Sequence, residues 1–70
     1  MKRGVATIKD FLASSGWSQR KLAEEAGLTE SSISKYISGV REPSLMTVSK
    51  LAEAMSMKPM DLLKDFMEEE

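Results

Sequence analysis

The adjacent carboxylates of Glu24 and Glu25 are one pair of side chains that could perform acid–base chemistry. Neighbouring residues of a helix point in different directions, so these two groups cannot act together on one substrate atom. The sequence contains no His and no Cys, which removes the imidazole base, the thiolate nucleophile and the common metal ligands. No glycine-rich phosphate loop is present either. The sequence therefore argues against an enzyme and implies no metal or cofactor.

A second group of polar residues, near the middle of the chain, is spaced to lie on one face of a helix. Ile33 and Tyr36 have the three-residue spacing of a buried helical stripe. With that stripe turned inward, four polar side chains point outward: Glu30, Ser31, Ser34 and Lys35. Side chains held outward on a rigid helix are suited to contact another molecule.

The segment before this helix has the features of a tight turn between two crossing helices. Two helices joined by about three residues cross steeply, and a small residue is needed where their backbones approach, a place that Ala23 can fill. Gly27 can adopt the positive φ that such a turn requires. Leu22 and Leu28 would hold the first helix and the turn to the core, and Ile33 would hold the second helix.

Apolar spacing is helical nearly throughout, and it predicts five short helices in a compact all-α domain. The expected ranges are 4–14, 19–26, 30–38, 45–56 and a fifth helix that begins near Pro59. Ser18, Thr29 and Ser44 are placed as N-caps. Leu45 in the fourth helix, and Met60 and Phe66 in the fifth, are expected on the inner faces. No segment alternates as a strand would.

The charges nearly cancel, with 10 Lys and Arg against 11 Asp and Glu, which at first argues against a nucleic-acid partner. Residues 1–60 carry nine basic and six acidic groups, a sum of +3, whereas residues 61–70 carry one Lys and five acids, a sum of −4. The body is thus mildly basic. We expect one domain over residues 1–70, with residues 1–3 a flexible arm and residues 66–70 an acidic tail open to fraying.

No apolar run approaches the ~20 residues of a membrane-spanning helix, so no membrane partner is expected. The basic N-terminus is not followed by the apolar stretch of a secretory signal. Together with the lack of cysteine, this favours an intracellular protein.

The motifs together resemble a known family. The matching features inside the central segment are Gln19, Ala23, Gly27, Ile33 and Ser38-Gly39. Those outside it are Gly16-Trp17-Ser18, Pro43-Ser44-Leu45, Leu51-Ala52 and Asp61-Leu62-Leu63. On these residues, over roughly 5–65, the sequence resembles the phage repressor and Cro-type helix-turn-helix family, with its lambda-repressor-like fold.

The resemblance implies a regulator of transcription, above all a repressor, that binds double-stranded DNA. It also implies a cytoplasmic protein that is encoded by a bacterium or by a phage. It makes the third helix the recognition helix, which lies in the major groove. The implied base-reading residues are Glu30, Ser31, Lys35 and Ser34. The implied phosphate contacts are Gln19, Arg20, Ser32, Arg41, Lys2 and Arg3. The family also implies a homodimer, at least on DNA, that reads a pseudo-palindromic operator.

Several of these residues have a plainer interpretation. Glu30 follows a cap, where an acid stabilises the helix dipole, and its charge repels phosphate. The serines of the third helix could be surface residues without a partner. Trp17 is expected to be a core residue that bridges the first two helices.

The C-terminal third departs from the family pattern and is rich in methionine. Ser56 stands where a Gly is usual after the fourth helix, and Lys58 replaces the usual cap before the fifth. We expect a dimer contact in this region, formed by Met57, Met60, Phe66 and Met67. Met60 could equally well be a core residue, since methionine also fills irregular gaps in a core.

One alternative function uses the same fold. The chain would then be a protein-interaction module, such as an antitoxin or an adaptor, that binds a protein partner through its C-terminal region.

Overall fold

The computed structural model describes residues 3–68, and within that range it contains five helices and no strand. The helices are α1 (Arg3–Ser15), α2 (Gln19–Ala26), α3 (Glu30–Ser38), α4 (Leu45–Ala54) and α5 (Pro59–Met67). The predicted all-α class is confirmed. Helix α4 ends two residues earlier than predicted, and α1 begins one residue earlier.

Three helices begin at the predicted caps. The hydroxyl oxygens of Ser18, Thr29 and Ser44 accept hydrogen bonds from the third backbone N–H group beyond each of them, at 3.0, 3.1 and 3.2 Å. Each bond satisfies a donor that a helix start would leave unpaired. These local signals fix where α2, α3 and α4 start.

The core draws on every helix. Its largest fully buried side chains are Ile8, Leu22, Ile33, Val48, Leu51 and Leu62. Helix α1 packs on α3 and α5, α2 packs on α3 and α4, and α4 packs on α5. Helix α3 is therefore held by two other helices, so its outer face has a fixed position.

Trp17 joins α1 to α2, as predicted. Its ring meets the ring of Phe11 edge-on, with centroids 5.2 Å apart, and the Lys21 ammonium lies 5.6 Å from its centroid. An edge-to-face aromatic pair and a cation over a ring are both favourable contacts. They fix the entry into α2.

The first turn of α1 packs tightly against the last turn of α5. Gly4 lies directly on the ring of Phe66, and a Cβ atom there would overlap the ring. The backbone N–H of Arg3 donates to the carbonyl oxygen of Glu68 at 3.0 Å. The Thr7 hydroxyl donates to the Asp65 carboxylate at 2.8 Å.

These contacts change the expectation for the two ends of the chain. Arg3 does not belong to a flexible arm, because it opens α1 and its guanidinium donates to the Glu68 carboxylate at 3.0 Å. Phe66 and Met67 do not belong to a frayed tail, because both are in α5 and Phe66 is buried. Lys2, and residues 69–70 of the expected tail, lie outside the described residues.

Leu45 and Met60 are not inner-face residues, contrary to the prediction. Their side chains are 68% and 75% exposed. Each lies in the first turn of its helix, where no neighbouring helix covers it. The helical period alone could not distinguish them from the buried residues one turn later.

The junction between α4 and α5 carries the expected departures. Ser56 has a φ of 58°, the left-handed conformation that a glycine adopts without strain. Lys58 makes no side-chain cap bond, and Pro59 occupies the first turn of α5. The path of the chain is thus kept with a less suitable residue at position 56.

Candidate nucleic-acid interface

The turn between α2 and α3 is built around Gly27, which has φ 71° and ψ 33°. Its N–H donates to the Glu24 carbonyl at 3.3 Å, and the Leu28 N–H donates to the Ala23 carbonyl at 2.8 Å. This pair of bonds is the pattern that ends a helix through a left-handed residue. It stops α2 after Ala26 and turns the chain into the Thr29 cap of α3.

The inner side of α3 is fixed by core contacts. Ile33 and Tyr36 are buried, and Ile37 is half-buried against the same core. Ala23 is also buried, and its small side chain leaves room for the close approach of α2 to α3. Helix α3 cannot rotate without exposing these residues, so its outer side chains keep one orientation.

The outer side of α3 carries the four polar residues that the sequence singled out. Glu30, Ser31, Ser34 and Lys35 are all exposed. Within residues 3–68, none of their side chains has a hydrogen-bond or ion-pair partner. Helix α3 therefore presents an amine, two hydroxyls and a carboxylate to solvent from adjacent turns.

The other two serines of α3 are engaged. Ser32 accepts a hydrogen bond from the Thr29 hydroxyl at 2.9 Å, and the Ser38 hydroxyl donates to the Lys35 carbonyl at 3.1 Å. Ser32 is also half-buried. Its hydroxyl is thus part of the cap of α3, a role that the sequence analysis did not assign to it.

The residues expected at phosphates lie in three places. Gln19 is the first residue of α2, and Arg20 beside it makes a long, exposed ion pair with Glu24 at 3.8 Å. Arg41 is exposed in the loop after α3. Its backbone N–H donates to the Lys35 carbonyl at 3.3 Å, which leaves the guanidinium out of this bond. The Arg3 guanidinium is instead held at α5, as described above.

The residues expected at a dimer contact are divided by the structure. Phe66 is buried in the core and Met57 is half-buried against it, so neither offers a free surface. Met60 and Met67 are 75% and 74% exposed. Phe66 lies on the inner face of α5, as its helical spacing predicts, and its ring covers Gly4.

Sequence reasoning missed the other half of this exposed apolar surface. Leu45 and Met46 are 68% and 71% exposed at the start of α4. They border an open groove between α4 and α5 with a volume of about 520 Å³. The groove is lined by Leu45, Met46, Val48, Ser49, Pro59, Met60 and Leu63. The sequence does hold a signal of this exposure. Leu45 is the first residue of its helix, so no earlier helical turn continues the apolar stripe on its N-terminal side.

Residues 3–68 contain neither a metal cluster nor a membrane-spanning helix. No cluster of three acidic residues there is arranged to hold a metal ion. None of the helices in that range has both the length and the apolar character that crossing a bilayer requires.

Comparisons with known proteins agree with this geometry. A family model described as helix-turn-helix matches residues 8–63. An uncharacterized HTH-type transcriptional regulator of Bacillus subtilis, YgzD, is 36% identical over 63 residues, which cover 90% of this chain and 92% of that protein.

A second relative comes from a prophage of the same organism. The SPbeta prophage-derived uncharacterized HTH-type transcriptional regulator YonR is 35% identical over 57 residues, which cover 81% of this chain and 53% of that protein. The chain thus spans about half of this relative. No solved structure matches the chain significantly. The family model and both relatives show that the chain belongs to the Cro- and repressor-type helix-turn-helix family of DNA-binding transcriptional regulators.

Proposed function

We propose that the chain binds double-stranded DNA sequence-specifically, with α3 in the major groove, and represses transcription. The observation that carries this proposal is the outer face of α3, where Ser31, Ser34 and Lys35 are exposed and unpaired within the described residues. Because Ile33 and Tyr36 fix the helix from beneath, the backbone that carries these donors loses little freedom on binding.

Each side chain of this face suits a particular base edge. The Lys35 amine can donate to O6 and N7 of guanine, and the Glu30 carboxylate can accept from N4 of cytosine. The hydroxyls of Ser31 and Ser34 can donate or accept. The Glu30 carboxylate also repels phosphate. A cytosine amino group opposite Glu30 would offset this repulsion, so Glu30 favours operators with a cytosine at that position.

Phosphate contacts would flank this face. The N-terminus of α2, at Gln19, offers backbone N–H groups and the positive end of the helix dipole to an anion. Arg20 is available because an exposed ion pair such as its contact with Glu24 is worth little. Arg41 follows α3 on the other side, and Lys2 precedes the described residues. Arg3 is a weaker candidate, because its guanidinium lies at the junction of α1 and α5 with two acids beside it, Glu68 at 3.0 Å and Asp65 at 3.9 Å.

The exposed apolar face of α4 and α5 supports a homodimer on the operator. Leu45, Met46, Met60 and Met67 each have more than two thirds of their surface exposed. Leu45, Met46 and Met60 line the groove between α4 and α5, and Met60 and Met67 line the depression that adjoins it. Exposed apolar side chains that lie together in this way commonly mark an interface.

The charges beside this patch favour a second copy as the occupant. Asp61 and Lys64 line a depression on α5 together with Met60 and Met67. Both charged residues are exposed, and neither forms an ion pair within residues 3–68. In a two-fold arrangement, Asp61 of each copy can meet Lys64 of the other. The two α3 helices would then read half-sites about 10 base pairs apart.

Selection of bound sequences from a random DNA pool tests the proposal. We expect a pseudo-palindromic consensus, bound less tightly by Lys35→Ala and equally well by Lys9→Ala. Lys9 is a matched control, since it is an exposed lysine on α1 that lies outside the proposed interface.

The same selection tests the alternative interaction module. If no sequence is enriched while the chain remains folded, the DNA proposal is wrong. The apolar groove between α4 and α5 would then favour a protein partner.

A further inference from the structure

The five methionines within residues 3–68 differ in exposure. The sequence has six methionines and no cysteine. Met46, Met60 and Met67 are 71%, 75% and 74% exposed, whereas Met55 is buried and Met57 is half-buried. Thioether oxidation follows exposure, so these three side chains are more accessible to an oxidant than Met55, which is shielded.

The three exposed thioethers share one surface. Met46 and Met60 line the groove between α4 and α5, and Met60 and Met67 line the adjoining depression on α5. The rest of the groove is lined by the apolar residues Leu45, Val48, Pro59 and Leu63, with the Ser49 hydroxyl as its one side-chain donor. The Lys64 ammonium lines the depression beside Met60 and Met67, and the proposed dimer pairs it with Asp61 of the other copy. A polar group introduced here would meet an apolar surface.

We propose that oxidation of Met46, Met60 and Met67 to the sulfoxide is a switch that separates the two copies and releases operator DNA. This inference rests on the proposed dimer. Hydrogen peroxide, or another hydroperoxide, transfers one oxygen atom to each sulfur. The sulfur is oxidised by two electrons, the O–O bond breaks, and water (or the alcohol) leaves. Methionine sulfoxide reductases reverse the step.

The physical basis is the polarity of the product. A sulfoxide oxygen is a strong hydrogen-bond acceptor, and burying it against Leu45, Pro59 and Leu63 removes it from water without a partner. The oxidant reaches these atoms in the free chain and is excluded from them in the dimer. Oxidised chains therefore accumulate as monomers, and dimerisation or operator binding slows the oxidation.

The experiment treats the full chain with hydrogen peroxide and maps the oxidised peptides by mass spectrometry. We expect one added oxygen at Met46, Met60 and Met67 before Met55. Sedimentation velocity should then show loss of dimer, with dimer affinity reduced about tenfold or more, because an unpaired polar group in an apolar interface costs at least that factor. Reduction with methionine sulfoxide reductases should restore the dimer.

The variant Met46→Leu/Met60→Leu/Met67→Leu separates this switch from general damage. Its dimer affinity is compared before and after peroxide, so that its own untreated value is the reference. We expect little change on treatment, against the large change in the unsubstituted chain. A loss that persists in this variant would overturn the proposal, and so would complete oxidation at the three positions without loss of dimer.

Sedimentation also keeps this test distinct from the test of DNA binding. If the untreated chain dimerises but selects no DNA, the repressor proposal and the release of an operator both fail, while sedimentation still decides whether oxidation separates the two copies. If the untreated chain selects an operator and binds it equally after oxidation of all three residues, the switch fails while the repressor proposal stands.

Discussion

The backbone N–H of Leu28 donates to the carbonyl oxygen of Ala23 at 2.8 Å, across the turn between α2 and α3. This bond closes because Gly27, just before Leu28, has a φ of 71°. The crossing of the two helices, and with it the position of the outer face of α3, therefore depends on one left-handed residue.

Replacement of Gly27 by Val should destabilise the fold by about 1–3 kcal/mol, the cost of a strained backbone conformation. A Cβ atom at this position would meet no neighbour, so the whole effect should come from φ. Gly27→Asn should cost less, since Asn tolerates the left-handed region. Urea denaturation measures both, and equal free energies of unfolding for the two variants would contradict this account of the turn.

Ser56 has a left-handed backbone conformation like that of Gly27, although it is not a glycine. Its N–H donates to Glu53, and the next N–H, of Met57, donates to Ala52 at 2.8 Å. Since Ser56 has a φ of 58°, Ser56→Gly should stabilise the chain by about 0.5–1 kcal/mol, by relief of strain. Thermal unfolding checks this. Ser49→Gly, at an exposed position inside α4, should instead lower the melting temperature.

Gly4→Ala should destabilise the chain by about 1–3 kcal/mol, because the added methyl group overlaps the ring of Phe66. In an unobstructed helix the same change usually stabilises, so the sign of the effect tests the contact. The measurement is a double-mutant cycle with Phe66→Leu. The penalty of Gly4→Ala should shrink in the Phe66→Leu background, and strict additivity would show that the ring is not responsible.

Much of the fold could be predicted because its determinants are local. The caps at Ser18, Thr29 and Ser44 and the turn at Gly27 depend on residues within five positions of one another. The role of Arg3 could not be predicted in this way. Its partner, Glu68, is 65 positions away, and only the packing of α1 on α5 brings them together.

The candidate site was predictable to a similar extent. The helical period placed Ser31 and Ser34 on the outer face of α3, and the structure agrees. The period did not show that Ser32 is taken by Thr29, because this depends on side-chain rotamers at the cap. The period also predicted that Met60 lies on the inner face of α5, because the spacing of an apolar residue does not tell whether it faces the core or an exposed surface.

Lys35→Ala should weaken operator binding by about 1–3 kcal/mol and relax the preference at one base pair, since it removes a donor to a base edge. Gln19→Ala should weaken all sequences alike, since the α2 N-terminus is expected at phosphate. Fluorescence anisotropy on the selected operator and on single-base variants measures both effects. A Lys35→Ala protein with unchanged affinity and base preference would contradict the proposed role of α3.

The charges of α5 allow the proposed dimer to be tested by exchange. Lys64→Asp places acids at both positions 61 and 64, and Asp61→Lys places two bases there. Each single variant should dimerise less well, by about 0.5–2 kcal/mol, because like charges face each other across the two-fold axis. Asp61→Lys/Lys64→Asp restores opposite charges and should recover much of the dimer. Sedimentation equilibrium at low salt measures all three.

Mixing the two single variants gives the sharpest form of this test. An Asp61→Lys chain meets a Lys64→Asp chain with complementary charge at every contact, so heterodimers should outnumber both homodimers, and salt should reduce the preference. The apolar patch of Met60 and Met67 is unchanged in every variant, so it supplies the same affinity to each pair. A random mixture of dimers would show that Asp61 and Lys64 do not face each other. Loss of dimer in Met60→Glu alone would then place the contact on the apolar groove without α5 charge pairing.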